Sequence, residues 1–326
     1  MRAIAGALLL VSLTPAARAH HSAAMFDSTR TATIEGTVER YEWANPHVYL
    51  HVASSSGTWL IEAGSPSMMQ RAGWSRESFA VGDVVSVDVN PARAGERMAR
   101  GIAVRAGDTV LAFRGEAPGE RRAAVPATGL GGNWLPSPEP KFQPFVAAPT
   151  AWSLTPKAVE ALGRYDSANN PGVDCVALQA PFQMVWTDLK NIEIDGTIVV
   201  LRSALNVGVE RIVHLDRTTH DGAAFTNDGH SIGRFENGAL VVDTRNFSDH
   251  PAGNRDGVPS GAQKHLVERF ELSPDRTTLT YRFVLEDPEY LAAPFEGSAT
   301  WVHRPDLEYT AEKCDLTNAR RFLEGL

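Results

Sequence analysis

The chain of 326 residues is long enough for two domains, each with its own core. Its formal net charge of −8 and sequence pI near 5.7 oppose a nucleic-acid partner, because phosphate binding needs clustered Lys and Arg. The short basic runs, such as Arg121-Arg122, stand alone and read as solvated surface.

The first predicted element is a signal peptide over residues 1–19. Arg2 supplies a positive start, residues 4–13 an apolar stretch too short to span a bilayer, and Ala17-Arg18-Ala19 a small-x-small cleavage site. Cleavage there makes His20 the first residue of a mature protein that is periplasmic or secreted. No later stretch approaches the roughly 20 apolar residues of a membrane helix, so no membrane span is expected.

Residues 20–114 read as an OB-like domain. Strands are expected at 33–41, where apolar and polar residues alternate with period two, and at 47–52, 58–62 and 84–89, with a last one at 101–104 joined by 109–113. Residues 65–79 have helical spacing at Met68, Met69 and Ala72 behind Pro66 in a first turn. A helix between the third and fourth of five short strands is the order of an OB barrel.

Residues 115–150 shift to Pro, Gly and Ala, which is linker composition. Within them, Gly132-Asn133-Trp134 follows a Gly-rich turn and reads as the first strand of a second barrel, with Arg304 from the closing strand as the partner expected on the Trp134 face. The other reading is a Trp that merely packs the linker down.

Residues 151–326 hold a helix at 155–165 with a Thr-Pro start, then strands at 183–187, 191–194, 197–203, 210–216, 230–235, 239–244, 263–272, 277–285 and 297–303. Asp195-Gly196 and Asn237-Gly238 are the best hairpin turns. The expected fold class is therefore all-β, an N-terminal OB-like barrel followed by a lipocalin-like up-and-down β-barrel. Cys175 and Cys314 belong to no CxxC or Cys-His constellation, and in an oxidising compartment they are expected to form a disulfide that ties the chain end to the second domain.

His20-His21-Ser22 with Phe26-Asp27, Gly36-Thr37-Val38 and Asn45-Pro46-His47 resembles a widespread family of exported bacterial proteins of unknown function. Leu154-Thr155-Pro156, Gly229-His230-Ser231-Ile232-Gly233-Arg234 and Leu240-Val241-Val242-Asp243-Thr244 resemble another group of uncharacterised secreted bacterial proteins, in which Trp stands where this chain has Phe235. The two resemblances imply export and two domains, and carry no activity.

Two constellations carry candidate chemistry. His20, as a free N-terminus, offers an amine and an imidazole to one cation, and with His47 or His51 that donor set suits copper as the cofactor. A disordered terminus and a turn-capping His47 are the alternative. In the second domain His230 and Arg234 share a strand face with Asp243 on the hairpin partner, while His265 and Glu268 face opposite sides, so that only one points into a barrel. A His with a carboxylate in a dry barrel interior, and Arg234 as an anion clamp, suits cofactor-free isomerase, lyase or hydrolase chemistry. A structural Arg-Asp-His network is the alternative. No Gly-x-Ser-x-Gly elbow, His-Glu-x-x-His, phosphate loop or dinucleotide fingerprint is present. The leading expectation is a binding protein with a small apolar or amphipathic ligand in the second barrel and a metal or protein partner at the first domain. The enzyme using His230, Arg234 and Asp243 competes with it.

Overall fold

The computed structural model describes residues 25–114, 125–137, 152–204, 208–255, 257–310 and 312–323. In the first domain, β1 (Ala32–Glu42), β2 (Tyr49–Ser54) and β3 (Gly57–Glu62) form an antiparallel meander. The strand β4 (Val84–Pro91) pairs with β1, and β5 (Met98–Ala106) pairs with β4. A parallel pairing of β3 with β5, Leu60 opposite Met98, closes the five into a barrel. The helix α1 (Pro66–Arg71) joins β3 to β4, which is the expected OB order. Its start obeys capping chemistry: the Ser65 side chain accepts from the Met68 amide, and Pro66 occupies the first turn. Residues 72–79 of the expected helix are turn and bend instead.

Alternation decides what fills this barrel. Val85, Val87 and Val89 point inward with Val38, Leu50, Val52 and Ile61, each such side chain contributing about 1.5 to 3 kcal/mol on full burial. The last strand continues through a hairpin into β6 (Thr109–Ala112) and Phe113. A Cβ at Gly101 would lie 2.2 Å from the Phe113 ring, so glycine is what admits that ring beside the Trp74 ring, 4.7 Å away.

The second barrel has nine strands. Around the ring they run β10 (Val209–His214), β11 (His230–Glu236), β12 (Ala239–Arg245), β15 (His265–Leu272), β16 (Thr278–Glu286), β17 (Phe295–His303), β7 (Gly132–Pro136), β8 (Lys190–Asp195) and β9 (Ile198–Ser203). Gly132-Asn133-Trp134 is thus a strand of this barrel, hydrogen-bonded to both β17 and β8. An odd number of strands cannot alternate in direction all round a closed ring. One parallel seam is therefore obligatory, and it falls at β10–β11, with Val213 opposite Ser231. A parallel step needs a connection that returns along the barrel, and residues 215–229 provide it.

Trp134 is sealed at the barrel base, its Nε1 donating to the Leu130 carbonyl at 2.9 Å. The ring that β17 sets beside it is His303, with centroids 5.0 Å apart, while the Arg304 guanidinium pairs with Asp306 at 2.9 Å. The Asn237-Gly238 turn has both residues at positive φ, as a type I′ hairpin demands. Between β8 and β9 the two loop residues are Gly196 and Thr197, of which only Gly196 has positive φ.

Two elements depart from expectation. Residues 182–185 are a single helical turn, α3 (Phe182–Val185), not a strand. Its four side chains are buried all round, so no in-out alternation exists to sustain a ladder, and Pro181 before them cannot donate to one. A ribbon of β13 (His250–Arg255) and β14 (Val258–Ser260) projects between β12 and β15, which pair directly with each other.

The expected disulfide is present: Cys175 and Cys314 are joined, with Cα atoms 5.8 Å apart. It anchors a C-terminal strap, residues 312–323, that crosses to the first barrel and ends in α4 (Leu316–Arg320) and a 3₁₀ turn. Asn318 donates to the His47 carbonyl at 2.7 Å, and Arg321 reaches Glu42 at 2.8 Å while lying 4.4 Å over the Tyr49 ring. A second helix, α2 (Pro156–Arg164), is capped by Thr155 and packs against β14. No helix among the described residues is long and apolar enough to cross a membrane.

Candidate functional site

The candidate site lies on the wall of the second barrel. Along β12 the core takes Leu240 and Val242, and along β15 it takes Leu266 and Phe270, which turns Asp243 and His265 outward. Along β11, Ser231 is buried and His230 faces the same side as Asp243. The shared face expected for His230, Arg234 and Asp243 is therefore found, but as the outer wall, and the placement inside a dry lumen is corrected. Period-two spacing fixes which residues share a face, and the bulkier apolar set decides which face is in.

On that wall a chain of hydrogen bonds runs across four strands and one loop. Glu286 Oε2 lies 3.1 Å from His265 Nδ1, and His265 Nε2 is 3.0 Å from Asp243 Oδ2. The other Asp243 oxygen is 3.0 Å from His220 Nε2, and His220 Nδ1 is 2.9 Å from His230 Nδ1. His214, the last residue of β10, stacks on the His230 ring with centroids 5.3 Å apart. Since carboxylates only accept, His220 donates through Nε2, and the two facing Nδ1 atoms of His220 and His230 are bridged by one proton between them. His265 has a carboxylate at each nitrogen, Asp243 at Nε2 and Glu286 at Nδ1, with the Arg245 guanidinium also 3.3 Å from Nδ1.

The electrostatics agree with this assignment. Hydrogen bonding to Asp243 raises the His265 pKa above the ordinary histidine value against the effect of burial, with Glu286 adding to it. Burial lowers that of His230, and His220, His214 and Arg217 push it the same way. Burial also raises Asp243, but the hydrogen bonds from His265 and His220, with Arg245 nearby, leave its carboxyl below the usual range. One wall thus holds an imidazole whose proton affinity is raised and one whose affinity is lowered, linked through Asp243 and His220.

The other residues picked from sequence divide. Arg234 stays outside the chain, its Nε bonded to Glu236 at 2.6 Å. Glu268 is the member of its pair that points inward, as parity requires, where it meets Arg211 and accepts from Tyr281 Oη at 2.8 Å. His220 and His214 were not legible as site residues, because His220 sits in the return loop where no periodicity constrains it.

A recess of about 480 Å³ opens at the His265 end. Arg245, His265 and Glu286 form its polar side, and Pro288, Leu291, Ala292, Ala293 and Pro294 its apolar side.

In the first domain, His47 Nδ1 lies 3.2 Å from the Ala63 carbonyl and His51 Nε2 lies 2.6 Å from Glu42. Burial acts to raise the Glu42 carboxyl, yet His51 and Arg321 hold it down at about 2. His20 and His21 lie outside the described residues, and among the described residues no three His, Cys, Asp or Glu side chains are grouped to hold a metal ion.

Residues 7–102 match a family of unknown function (DUF6152). No curated protein and no solved structure matches the chain.

Proposed function

We propose that the chain is an exported binding protein, processed behind Ala19, that holds a small amphipathic molecule in the wall recess of its second barrel. The observation that carries this is the two-sided lining: Arg245 and His265 meet a polar head while Leu291, Ala292 and Pro294 cover an apolar body. We place the ligand there and not in the lumen because Trp134, Phe270, Tyr281 and Trp301, all fully buried, already occupy the barrel interior. Titration with anilinonaphthalene sulfonate, an amphipathic fluorescent probe, tests the site. Saturable binding that Ala293→Trp or Arg245→Ala abolishes supports it. Unsaturable binding, or affinity indifferent to both changes, contradicts it.

A second reading is cofactor-free acid–base chemistry. What favours it is the pairing of His265 and His230 with opposite proton affinities on one hydrogen-bonded chain. In this reading His265 supplies a proton, His230 accepts one and Asp243 couples them, with no part for Arg234.

For the first domain we propose copper at the processed N-terminus, with His20 joined by His47 or His51. Two features support it. The Ala63 carbonyl fixes the His47 tautomer and makes Nε2 its ligand atom, and Glu42 does the same for His51 through Nε2, as outer-shell partners of metal ligands do. Phe26 packs against Tyr49, whose ring is 6.2 Å from that of His47, so the chain enters beside this site. Processed protein should bind Cu(II) more tightly than Zn(II) and lose the difference when one alanine is added before His20. Equal affinities of the processed and extended proteins retire the proposal.

A further inference from the structure

We propose that the wall recess takes a free α-amino acid with a bulky apolar side chain, its carboxylate held by Arg245 and its ammonium by Glu286. This rests on the recess reading above, and it narrows the guest from any amphipathic molecule to one whose head carries both charges. Arg245 and Glu286 both line the recess and flank one atom, His265 Nδ1, Arg245 Nη2 lying 3.3 Å and Glu286 Oε2 3.1 Å from it. Among the described residues no ion pair joins them to each other. Arg245 turns Nε toward Asp243 Oδ1 at 3.6 Å, so its guanidinium is anchored on one side while Nη1 has no partner among the described residues. Glu286 is anchored through Oε2, and Oε1 is without one in the same way. The two side chains are 49% and 48% exposed, so each still reaches solvent from the recess.

Asp287 adds a second acceptor. It lines the same recess and is 1% exposed. Its Oδ2 accepts from Asn254 Nδ2 at 2.8 Å and from the Gly261 amide at 3.0 Å, whereas Oδ1 is buried with no hydrogen-bond partner. The buried cation behind it, Lys264, bonds instead to Gln179 Oε1 at 3.0 Å and to the Gly253 carbonyl at 2.7 Å. Burial raises the Asp287 carboxyl against the lowering pull of Asn254, the Gly261 amide, Lys264 and the Glu289 amide. A guest ammonium supplies the positive charge that this corner lacks.

Desolvation separates the possible heads. A simple anion seated on Arg245 strips water from Glu286 and returns nothing to it, and a simple cation on the carboxylates does the same to Arg245. A zwitterion pairs both, so the recess rejects each half-charged analogue by what it leaves unpaired. Since both charges flank one histidine nitrogen, the carboxylate and ammonium of the guest must sit close together, as they do on a single α-carbon. Leu291, Ala292 and Pro294 on the opposite side then cover the apolar side chain.

Three compounds with one apolar body test this: L-phenylalanine, 3-phenylpropanoate, which lacks the ammonium, and 2-phenylethylamine, which lacks the carboxylate. Each is titrated at pH 7.5 against the full mature chain carrying anilinonaphthalene sulfonate, and displacement of the probe is followed. Phenylalanine should displace it at a concentration about tenfold or more below either analogue. Glu286→Gln should shrink its advantage over 3-phenylpropanoate to less than about threefold, and Arg245→Gln its advantage over 2-phenylethylamine, both at exposed positions where folding is not at stake. Equal displacement by all three, a monoanion or monocation that displaces best, or no displacement by any overturns the proposal while saturable probe binding leaves the recess reading in place. Probe binding that never saturates overturns both.

Discussion

Arg211 and Glu268 meet inside the second barrel, Arg211 Nη1 lying 2.7 Å from Glu268 Oε2, with side chains 2% and 0% exposed. Arg211 comes from β10 and Glu268 from β15, and Tyr281 Oη donates to the second carboxylate oxygen, so the pair crosses the core from wall to wall. Breaking it from one side strands a charge where no water can reach it. Glu268→Leu alone should lower the unfolding free energy by about 3 to 5 kcal/mol, and adding Arg211→Met should restore most of the loss. Urea denaturation of the two single variants and the double variant measures this, and a double variant no more stable than Glu268→Leu contradicts it.

The disulfide makes a different prediction, because Cys175 and Cys314 are 139 residues apart. Closing a loop of that length contributes about 4 to 5 kcal/mol in the chain-entropy treatment. Cys175→Ser with Cys314→Ser should lose stability on that scale. It should also release the strap, seen as increased exchange of the Asp315 amide, which donates to the Asn45 carbonyl at 2.9 Å. An unchanged Asp315 would show that Asn318 and Arg321 hold the strap without the bridge.

His250 gives the acid limb of stability. Burial, with Lys264 adding to it, depresses its pKa to about 4. The unfolded chain then takes up a proton near pH 6.5 that the folded chain refuses, so stability falls as pH drops from about 6.5 to about 4, by at most about 3 kcal/mol. His250→Asn should flatten that part of the profile relative to the wild type. Parallel profiles for the two proteins would assign the acid loss to other groups.

Trp134 shows how far the sequence could be read. A three-residue Gly-x-Trp inside linker composition is a weak signal, yet the ring is the base of the barrel, packed in the same core as Phe270 and Trp301. Trp134→Ala should cost about 3 to 5 kcal/mol by thermal or chemical unfolding, and a loss under 1 kcal/mol would return Trp134 to a linker role.

The first barrel was legible almost strand by strand, since Val85, Val87 and Val89 alternate and Ser65-Pro66 marks the helix start. The second was legible as hairpins, but the parallel seam was not, because closure of nine strands is a property of the whole ring. At the candidate site, spacing placed His230 with Asp243 and separated His265 from Glu268. It could not say which face was inward, since that depends on Leu240, Val242, Leu266 and Phe270 acting together. His220 carries no spacing signal at all, and it is brought to Asp243 only by the loop that the seam requires.

The central claim is that the wall recess holds a small amphipathic molecule, and extraction of compounds bound to the purified protein tests it most directly. Ala293 lines the recess and is exposed, so Ala293→Trp fills the space without disturbing the core. We expect mass spectrometry to find an amphipathic compound in near-stoichiometric amount with the wild type and not with Ala293→Trp. The same compound on both proteins, or none on the wild type, would contradict the account.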